Sequence, residues 1–326
     1  MAKKRIFSGM QPSGRFHMGN YQVLTNWIKL QDEYECIYSI VDWHALTSSY
    51  EDVSLLADRV LNIAMDWLAA GLDPEKCIIF VQSHVKEHAE LHLLLSMMTP
   101  LSWLERVPSY KDKLQQLGDM GKEINTYGFL GYPELQAADI IIYKAHAVPV
   151  AEDQMPHIEL TREIVRRFAH LYKSVFPEPE AILSPLLPGI DGRKMSKSYG
   201  KEIPFAAAPE ELKERVRQMV TDPNRIRKAD LGNPDVCTVY TFHKIFSGAE
   251  CPEISQSCRS AQIGCVACKN KLAETMSATL ASIHQRRAHL AQQSGQVKEI
   301  LASGAEKARK IAAATMDEVR RVMNLT

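Results

Sequence analysis

The sequence predicts an α/β protein in which a doubly wound, parallel-sheet domain is followed by an all-helical domain. Three observations support this fold. Strand-like and helix-like segments alternate in the first part of the chain, an order typical of parallel sheets with crossover helices. The strand-like runs, such as residues 36–41, are continuously apolar, as expected of strands buried on both faces. Strand-like runs disappear after Gly200, so we expect the domains to span residues 1–203 and 204–326.

The first predicted elements are a strand, a turn, a helix and a second strand. Residues 5–8 form a short apolar run, and the segment 9–14 that follows contains the Gly and Pro residues typical of a turn. From Gly19 apolar residues recur three and four positions apart, through Trp27, which predicts a helix. Residues 36–41 supply the second strand.

The next elements extend this alternation. A helix over about residues 52–70 is expected to end at Gly71, and residues 77–81 form a third apolar strand. Residues 84–146 show helical patterns interrupted by glycines. This segment is predicted to be a helical insertion between the two halves of the sheet.

The second domain is predicted to contain helices only. Residues 206–220 have a proline near their start, as a helix N-terminus often does. From Asn270 apolar residues recur at helical spacing, beginning with Leu272 and Met276. A last helix is expected over about residues 305–323.

Composition limits the class of protein. A length of 326 residues favours two domains, and 45% hydrophobic with 24% charged residues is average for a soluble globular protein. No window contains eighteen uninterrupted apolar residues, which argues against a membrane-spanning helix. The N-terminus lacks the apolar stretch of a secretory signal, so we expect a cytoplasmic protein.

The net charge is zero, but the charges are unevenly distributed. Lysine and arginine total 39, as do aspartate and glutamate, which argues against a uniformly basic nucleic-acid binder. Residues 1–200 contain 20 basic and 25 acidic residues, whereas residues 201–326 contain 19 and 14. The two parts therefore carry charges of −5 and +5, and a split of this kind indicates a negatively charged partner for the second part.

The loop after the first strand has the features of a phosphate site. It reads Gln11-Pro12-Ser13-Gly14-Arg15-Phe16-His17-Met18-Gly19-Asn20. A glycine at the start of the next helix lets a ligand approach the backbone, and the helix N-terminus offers unpaired N–H groups to phosphate. His17 could donate to a phosphate oxygen. Taken alone, this segment is explained equally well by a surface histidine in an ordinary turn.

A second segment, Lys194-Met195-Ser196-Lys197-Ser198, lies in a glycine-flanked loop near the end of the first domain. Two lysines separated by small residues can surround a polyphosphate and neutralise its charge as it leaves. A solvated basic loop is the commoner explanation for such a segment alone. The two segments in this order are far more specific than either one.

Together the two segments resemble the two signatures of class I aminoacyl-tRNA synthetases, which have a Rossmann-like nucleotide fold. Within that class the sequence resembles the bacterial-type tryptophanyl-tRNA synthetases over essentially its whole length. Two positions depart from the pattern of that family. At position 136 the family often has a methionine that lines the indole pocket, whereas this chain has Gln136. At position 151 the family usually has glycine, whereas this chain has Ala151. Neither change removes a charged group, so we expect altered pocket detail rather than lost activity. The segments that carry the likeness are 7–14, 40–45, 132–139, 148–154, 157–162 and 304–308.

The resemblance implies ATP-dependent activation of L-tryptophan and its transfer to tRNA(Trp). In such a reaction the tryptophan carboxylate attacks the α-phosphate of ATP and expels pyrophosphate, so catalysis depends on positioning and charge stabilisation. Mg²⁺ is expected with the polyphosphate. The resemblance implies His17, Lys194 and Lys197 as catalytic residues. The implied ATP-binding residues are Gln11, Pro12, Ser13, Gly19, Asn20, Ala151, Glu152, Asp153, Lys194, Met195, Ser196, Lys197 and Ser198.

The tryptophan side chain has one polar group, an indole N–H that can only donate. The resemblance implies that the carboxylate of Asp139 accepts it. Because the neighbouring sequence is apolar, a substrate that cannot donate is expected to leave this carboxylate unpaired and be rejected. An aspartate paired with a nearby lysine is the alternative, and Asp42 and His44 stay unassigned between a ligand site and a structural pair. The implied tryptophan-binding residues are Phe7, Tyr132, Gln136, Asp139 and Gln154.

Five of the seven cysteines lie within 32 residues. Such density in a reducing compartment indicates a metal site rather than disulfides. Four of these cysteines form one C-x2-C pair and two long spacings: Cys237, Cys258, Cys265 and Cys268. This pattern suits a [4Fe–4S] cluster better than a zinc site, which usually has two short pairs. The spacing resembles a subset of tryptophanyl synthetases that carry such a cluster, with Zn²⁺ as the alternative. Cys251 is either a free thiol or a replacement for Cys237.

The resemblance also implies partners. In enzymes of this type the helical domain contacts the tRNA anticodon, so residues 204–326 are expected to bind tRNA phosphates and bases, with the metal site fixing a loop nearby. A homodimer is implied by resemblance alone. Two alternatives stay open: a tyrosyl-tRNA synthetase with the same fold, and a non-catalytic RNA-binding or iron-sensing relative.

Overall fold

The computed structural model describes residues 3–14, 16–119, 125–184, 187–193, 195 and 202–325. Within them, five strands form one parallel sheet in the order β3-β2-β1-β4-β5. The chain adds strands on one side of β1 and then crosses to its other side, which is the topology of a doubly wound α/β fold. The predicted fold class is therefore confirmed. The strands are β1 (Arg5–Met10), β2 (Glu35–Ile40), β3 (Cys77–Val81), β4 (Ala147–Ala151) and β5 (Glu180–Ser184).

Helices connect and flank these strands. After β5, every regular element that the structure describes is helical, which confirms the helical C-terminal region. Short 3₁₀ turns directly follow β3 at Gln82–His84 and β4 at Glu152–Gln154. The helices are α1 (Met18–Leu30), α2 (Asp42–Ser49), α3 (Leu56–Ala70), α4 (Glu87–Ser96), α5 (Leu101–Glu105), α6 (Pro108–Asp119), α7 (Tyr127–Ile141), α8 (Met155–Leu171), α9 (Pro209–Gln218), α10 (Thr238–Phe246), α11 (Cys251–Arg259), α12 (Cys265–Gln292) and α13 (Ser294–Val322).

The central strands are apolar because both faces of the sheet are covered. Phe7 of β1 lies in register with Ile37 of β2, and both are buried. At the end of β1, Gly9 allows a close approach, since a Cβ there would lie 2.8 Å from Cγ1 of Val41. The carboxyl ends of β1 and β2 can therefore pack tightly, and polar side chains follow both ends.

The last helix packs on the edge strand β3. A Cβ added to Gly304 of α13 would lie 1.9 Å from the carbonyl oxygen of Ile79, so only glycine lets the helix backbone approach this strand. Two further ion pairs join α13 to the segment after α7 and to α4, Lys144 with Glu318 and Arg320 with Glu90. Helix α13 is thus part of the packing of the sheet.

The chain forms two compact units that do not follow the boundary predicted at residue 203. The first unit comprises Met1–Gly14, Asn26–Ser184 and Gln293–Thr326, and the second comprises Arg15–Thr25 and Pro185–Gln292. The C-terminal segment belongs to the first unit because α13 packs on β3. The sequence pattern shows that this segment is helical, but not which element it packs against.

Candidate active site

Ligands of doubly wound sheets bind beyond the carboxyl ends of the strands, at the point where the strand order reverses. In this sheet that point lies between β1 and β4, which are neighbours; the Ser8 hydroxyl donates to the carbonyl oxygen of Pro149 across them. Two predicted ligand-binding segments follow these strands directly, residues 11–13 after β1 and residues 152–154 after β4. The fold therefore places both segments at the expected edge of the sheet.

Three predicted tryptophan-binding residues lie on α7, at positions 132, 136 and 139. Thr126 caps the N-terminus of this helix, its hydroxyl oxygen accepting from the N–H of Phe129. Spacings of four and three residues put the three side chains on one face of the helix. Tyr132 and Asp139 are buried, while Gln136 is half-buried.

The hydroxyl of Tyr132 belongs to a short polar chain. It lies 2.7 Å from the Ser109 hydroxyl, which in turn lies 2.7 Å from Nε2 of His157. Gln154, the fifth predicted residue, is half-buried in the 3₁₀ turn after β4, and its amide donates to the Asp153 carboxylate at 3.3 Å. The Tyr132 hydroxyl and the side-chain N–H₂ group of Gln154 are therefore both engaged within the protein.

Asp139 is 1% exposed and accepts hydrogen bonds from three side chains. Nε2 of His44 lies 2.9 Å from Oδ2, and Nδ1 of His88 lies 2.6 Å from Oδ1. The side-chain amide of Gln82 lies 2.8 Å from both carboxylate oxygens. The amide of Gln82 is oriented by the backbone N–H of Trp43, which donates to its oxygen at 3.1 Å.

These donors decide the charge of Asp139. Burial acts to raise the pKa of this carboxyl group, but the charge of His88 and the hydrogen bonds from His44 and His88 outweigh it and lower the pKa. Asp139 is therefore a buried carboxylate ion at neutral pH. Its partners are two histidines and an amide rather than a lysine, so the lysine alternative is wrong.

Donors of the protein itself pair the Asp139 carboxylate, whereas the sequence predicts that a substrate that cannot donate leaves it unpaired. Four short contacts from three donors fill its four lone-pair positions. Likewise, His44 pairs with Asp139 rather than with Asp42, whose Oδ1 accepts from the backbone N–H groups of Trp43 and Ser83. Burial of a charge requires this satisfaction by protein donors, which a one-dimensional pattern does not reveal.

The second unit contains His17 at the start of α1. Nδ1 of His17 accepts from the backbone N–H of Asn20 at 3.4 Å, while the Asn20 side-chain oxygen accepts from the N–H of His17 at 3.2 Å. The N–H of Gly19 lies 3.3 Å from the sulfur of Met195. Segments 17–20 and 195 are therefore adjacent within this unit, as the two signatures require. The predicted residues Lys194, Ser196, Lys197 and Ser198 lie outside the described residues.

The four predicted metal ligands lie at the ends of helices in the second unit. Cys237 precedes α10, Cys258 lies in α11, and Cys265 and Cys268 lie in the first turn of α12. Burial, and then the charges of the other three cysteines, raises the pKa of Cys268 to about 12. Among the described residues no group of three or more His, Cys, Asp or Glu side chains is arranged to bind a metal ion.

The backbone beside Cys258 fits closely around its thiol. A Cβ at Gly232 would lie 2.5 Å from the sulfur, so glycine is needed there, and the Arg225 guanidinium lies 3.6 Å from the same sulfur. Burial raises the pKa of Cys258, and the charge of Arg225 offsets this only in part.

Sequence reasoning missed four side chains of this site. Gln82 follows β3, His88 lies in the first turn of α4, Tyr143 follows α7, and Ser109 lies in α6. Gln82 could have been found, because a polar residue directly after a buried parallel strand lies at the ligand edge of the sheet. The other three contribute through packing between distant segments, which leaves no local signal.

Comparison with known proteins identifies relatives along the whole chain. Residues 2–281 match the family of class I tRNA synthetases (W and Y). The tryptophan–tRNA ligase of Thermotoga maritima is 52% identical, covering 98% of this chain and 99% of that protein; the ligase of Aquifex aeolicus is 42% identical, covering 98% and 100%. The tryptophanyl-tRNA synthetase of Campylobacter jejuni, solved with ADP and tryptophan, is 33% identical with a TM-score of 0.84, covering 98% and 99%.

Proposed function

Because the chain belongs to the class I tRNA synthetases of the tryptophan and tyrosine type, and among them to the tryptophan–tRNA ligases, we propose that it joins L-tryptophan to tRNA(Trp) at the edge of the sheet where β1 and β4 end. It activates tryptophan with ATP and then charges the tRNA. The observation that carries the site assignment is the position of residues 11–13 and 152–154 after these two neighbouring strands.

Activation requires in-line attack of the tryptophan carboxylate on the α-phosphate of ATP, accompanied by Mg²⁺. Catalysis of this step rests on placing the reactants and on stabilising the charge of the departing pyrophosphate. His17, Lys194 and Lys197 supply that stabilisation in our proposal. Gly19 and Asn20, at the N-terminus of α1, offer backbone and amide donors to the nucleotide. Gln11, Pro12, Ser13, Ala151, Glu152, Asp153, Met195, Ser196 and Ser198 complete the ATP-binding set.

Tryptophan recognition is assigned to the first unit. Phe7 and Gln136 contact the indole ring, Tyr132 and Gln154 bind the α-amino group, and Asp139 accepts the indole N–H. Because Asp139 is already saturated, the indole must replace one existing contact. The Gln82 amide is the donor that can yield, since it contacts both carboxylate oxygens and keeps one bond when it leaves the other.

A charging assay tests this function. Incubation with ATP–Mg²⁺, radiolabelled tryptophan and unfractionated bacterial tRNA is expected to give acid-precipitable tryptophanyl-tRNA. Labelled tyrosine under identical conditions is the control for the tyrosyl alternative. Absence of charging with either amino acid would instead support a non-catalytic RNA-binding protein.

The anticodon-binding role is proposed for the helical region, residues 204–326. Its support is the charge of +5 carried by residues 201–326, since phosphate contacts supply much of the affinity for RNA. Within it, residues 269–326 contain ten basic and five acidic residues. We assign the catalytic role to residues 1–203.

A [4Fe–4S] cluster is proposed on Cys237, Cys258, Cys265 and Cys268, with Zn²⁺ as the alternative. The support is the number and type of donors: four cysteines at the ends of three helices, three of which raise the pKa of the fourth, Cys268. Bound there, a cluster would cross-link the starts of α10 and α12 to α11 and fix the loops between them near the anticodon. It would act as a structural link rather than in the reaction.

Anaerobic purification with metal analysis tests the cluster. We expect about four iron atoms per chain and a visible iron–sulfur absorbance, both lost in Cys265→Ser and kept in Cys251→Ser. One zinc atom without iron would favour the alternative. If Cys265→Ser stays folded and charges tRNA as well as the natural chain, the anticodon-loop role of the site is wrong.

A homodimer is proposed through an exposed apolar face on the first unit. Leu93, Met97, Leu101 and Tyr127 lie on or beside α4, α5 and α7 and are 55%, 71%, 59% and 68% exposed. Exposed apolar residues concentrated on packed helices are typical of an interface. Met97→Glu is expected to convert the dimer to monomer in sedimentation velocity, whereas Ile226→Glu, at a still more exposed apolar position of the second unit, is not.

We propose a cytoplasmic location, as expected for an enzyme that charges tRNA. Among the described helices none is long and apolar enough to cross a membrane.

A further inference from the structure

Two buried side chains that the reaction above does not use connect the two sides of the predicted indole pocket. The ring of Tyr143 stacks on Phe7, with centroids 5.4 Å apart and planes at 14°. Its hydroxyl lies 2.6 Å from Nε2 of His88, and Nδ1 of His88 lies 2.6 Å from Oδ1 of Asp139. Phe7 and Asp139 are thus joined by one stacking contact and two short hydrogen bonds.

The chemistry of Asp139 fixes the first hydrogen bond of this chain. A carboxylate can only accept, so Nδ1 of His88 carries a hydrogen and donates to Asp139. The other ring nitrogen, Nε2, shares a hydrogen bond with the Tyr143 hydroxyl. Burial, and then the charge of Asp139, raises the pKa of Tyr143, so this hydroxyl keeps its proton. Both ring nitrogens of His88 are thus engaged, one by Asp139 and one by Tyr143.

The chain is also rigid, because its members come from three elements and are fully enclosed. Tyr143 and His88 are 0% exposed. Phe80 of β3 packs against both rings, with centroids 5.8 Å from Tyr143 and 5.9 Å from His88. A rotation of either ring would break a buried hydrogen bond and a ring contact together.

We propose that Tyr143 and His88 are positioning residues for tryptophan recognition: they set the distance and angle between the Phe7 ring and the Asp139 carboxylate. The site contacts the face of the indole ring and the indole N–H. The angle between the two is constant, because the N–H lies in the plane of the ring. A site that presents a ring and an acceptor in one fixed arrangement selects for that geometry. This inference rests on the proposed function, since it assumes that Asp139 accepts the indole N–H.

The substitution Tyr143→Phe isolates this role. It keeps the stacking on Phe7 but removes the hydroxyl, so Nε2 of His88 loses its buried hydrogen-bond partner. The His88 ring is then held on one side only, and its bond to Oδ1 of Asp139 is weakened. Tyr38→Phe is the matched control, because the Tyr38 hydroxyl is equally buried and donates to the carbonyl oxygen of Trp27, away from Asp139.

The experiment compares tryptophan with β-(3-benzothienyl)-L-alanine, in which sulfur replaces the indole N–H, in ATP–pyrophosphate exchange. For Tyr143→Phe we expect the tryptophan preference, the ratio of the two kcat/KM values, to fall about tenfold, as for loss of one buried hydrogen bond, with the change mainly in KM. Tyr38→Phe should keep the ratio. A ratio within twofold of the natural chain in Tyr143→Phe would overturn the proposal.

Substitutions of His88 provide a rescue test. An Asn side chain can place an amide N–H near the position of Nδ1, so His88→Asn should restore much of the tryptophan preference that His88→Ala loses. Equal ratios in the two variants would contradict positioning by a hydrogen bond to Asp139. Exchange by the natural chain distinguishes failure of the proposed function from failure of the positioning role. If the natural chain shows no exchange with tryptophan, the proposed function is refuted. If it exchanges normally and the variants keep its tryptophan preference, only the positioning role is refuted.

Discussion

At the scale of single residues, the central group is a carboxylate removed from water. Isolated, such a charge would be too costly to bury, so it persists only with donors on every side. Asp139 has His44, Gln82 and His88 around it. The protein alone therefore satisfies this carboxylate, and in the proposed function tryptophan binding exchanges one donor for another.

Replacing Asp139 by asparagine tests this exchange. The asparagine side chain has an N–H₂ group in place of one carboxylate oxygen. This group faces a donor, either the N–H of a histidine or that of the indole, and two donors cannot form a hydrogen bond with each other. We expect kcat/KM for tryptophan to fall about 100-fold, as for loss of a hydrogen bond to a charged group. Steady-state pyrophosphate exchange measures it. Activation within threefold of the natural chain would show that Asp139 does not accept the indole.

Glu134 carries a second prediction, on pH. It is 2% exposed, and its Oε1 lies 3.5 Å from Nδ1 of His92. Burial raises the pKa of Glu134, and His92 offsets this only in part. Because the pKa is higher in the folded chain than in the unfolded chain, ionisation opposes folding, and stability is lost as pH rises through the folded pKa.

Glu134→Gln should therefore raise the free energy of unfolding at pH 7 and have little effect near pH 4, where the carboxyl group is largely protonated in both states. Urea denaturation at the two pH values measures the difference. Glu75→Gln, at an exposed site, is the control and should change neither value. A larger stabilisation at pH 4 than at pH 7 would contradict this assignment.

The sequence could predict positions in the site better than contacts. Asp139 and Tyr132 fall on a family motif, and both prove to be buried on one face of α7. The partners His88 and Tyr143 are separated by 55 residues, and only the packing of α4 against α7 brings them together. No spacing rule encodes such a contact.

At the scale of elements, one glycine decides where the last helix packs. The last helix is predicted to begin at about residue 305, yet α13 begins at Ser294 and continues through Gly304. Glycine is accepted in the helix interior, despite its cost of about 1 kcal/mol, because the Ile79 carbonyl oxygen occupies the space of a Cβ.

Gly304→Ala is therefore expected to destabilise the chain by about 2–4 kcal/mol, since the helix must move away from β3. Gly295→Ala is the matched control in the same helix, where an added Cβ meets nothing within 4 Å, and it should be neutral or slightly stabilising. Thermal and urea unfolding compare the two variants. Equal stabilities would show that α13 does not need this close approach.

Two of the five strands escaped prediction for local reasons. β4 contains Pro149, which weakens any strand pattern, and β5 is the short edge strand Glu180–Ser184, with an exposed residue at its start and prolines shortly before it. Position in the sheet does not decide which strands can be predicted, because β3 and β5 are both edge strands and β4 is internal. β3 is predicted because Cys77–Val81 is a continuous apolar run, whereas β5 begins with the charged residue Glu180.

At the scale of the whole molecule, the zero net charge is a sum over two regions of opposite charge. Residues 1–200 carry −5 and contain the side chains proposed for tryptophan, where single placed groups bind a small ligand. Residues 201–326 carry +5 and are proposed to meet RNA. Composition alone could not show this, because an average conceals opposite charges.

The most direct test of the account is ATP–pyrophosphate exchange with tryptophan and tyrosine side by side. The account predicts exchange with tryptophan and at least about 1,000-fold weaker exchange with tyrosine, because a site built to pair one donor rejects a ligand that places its polar group elsewhere. Comparable exchange with tyrosine, or none with tryptophan, would contradict it.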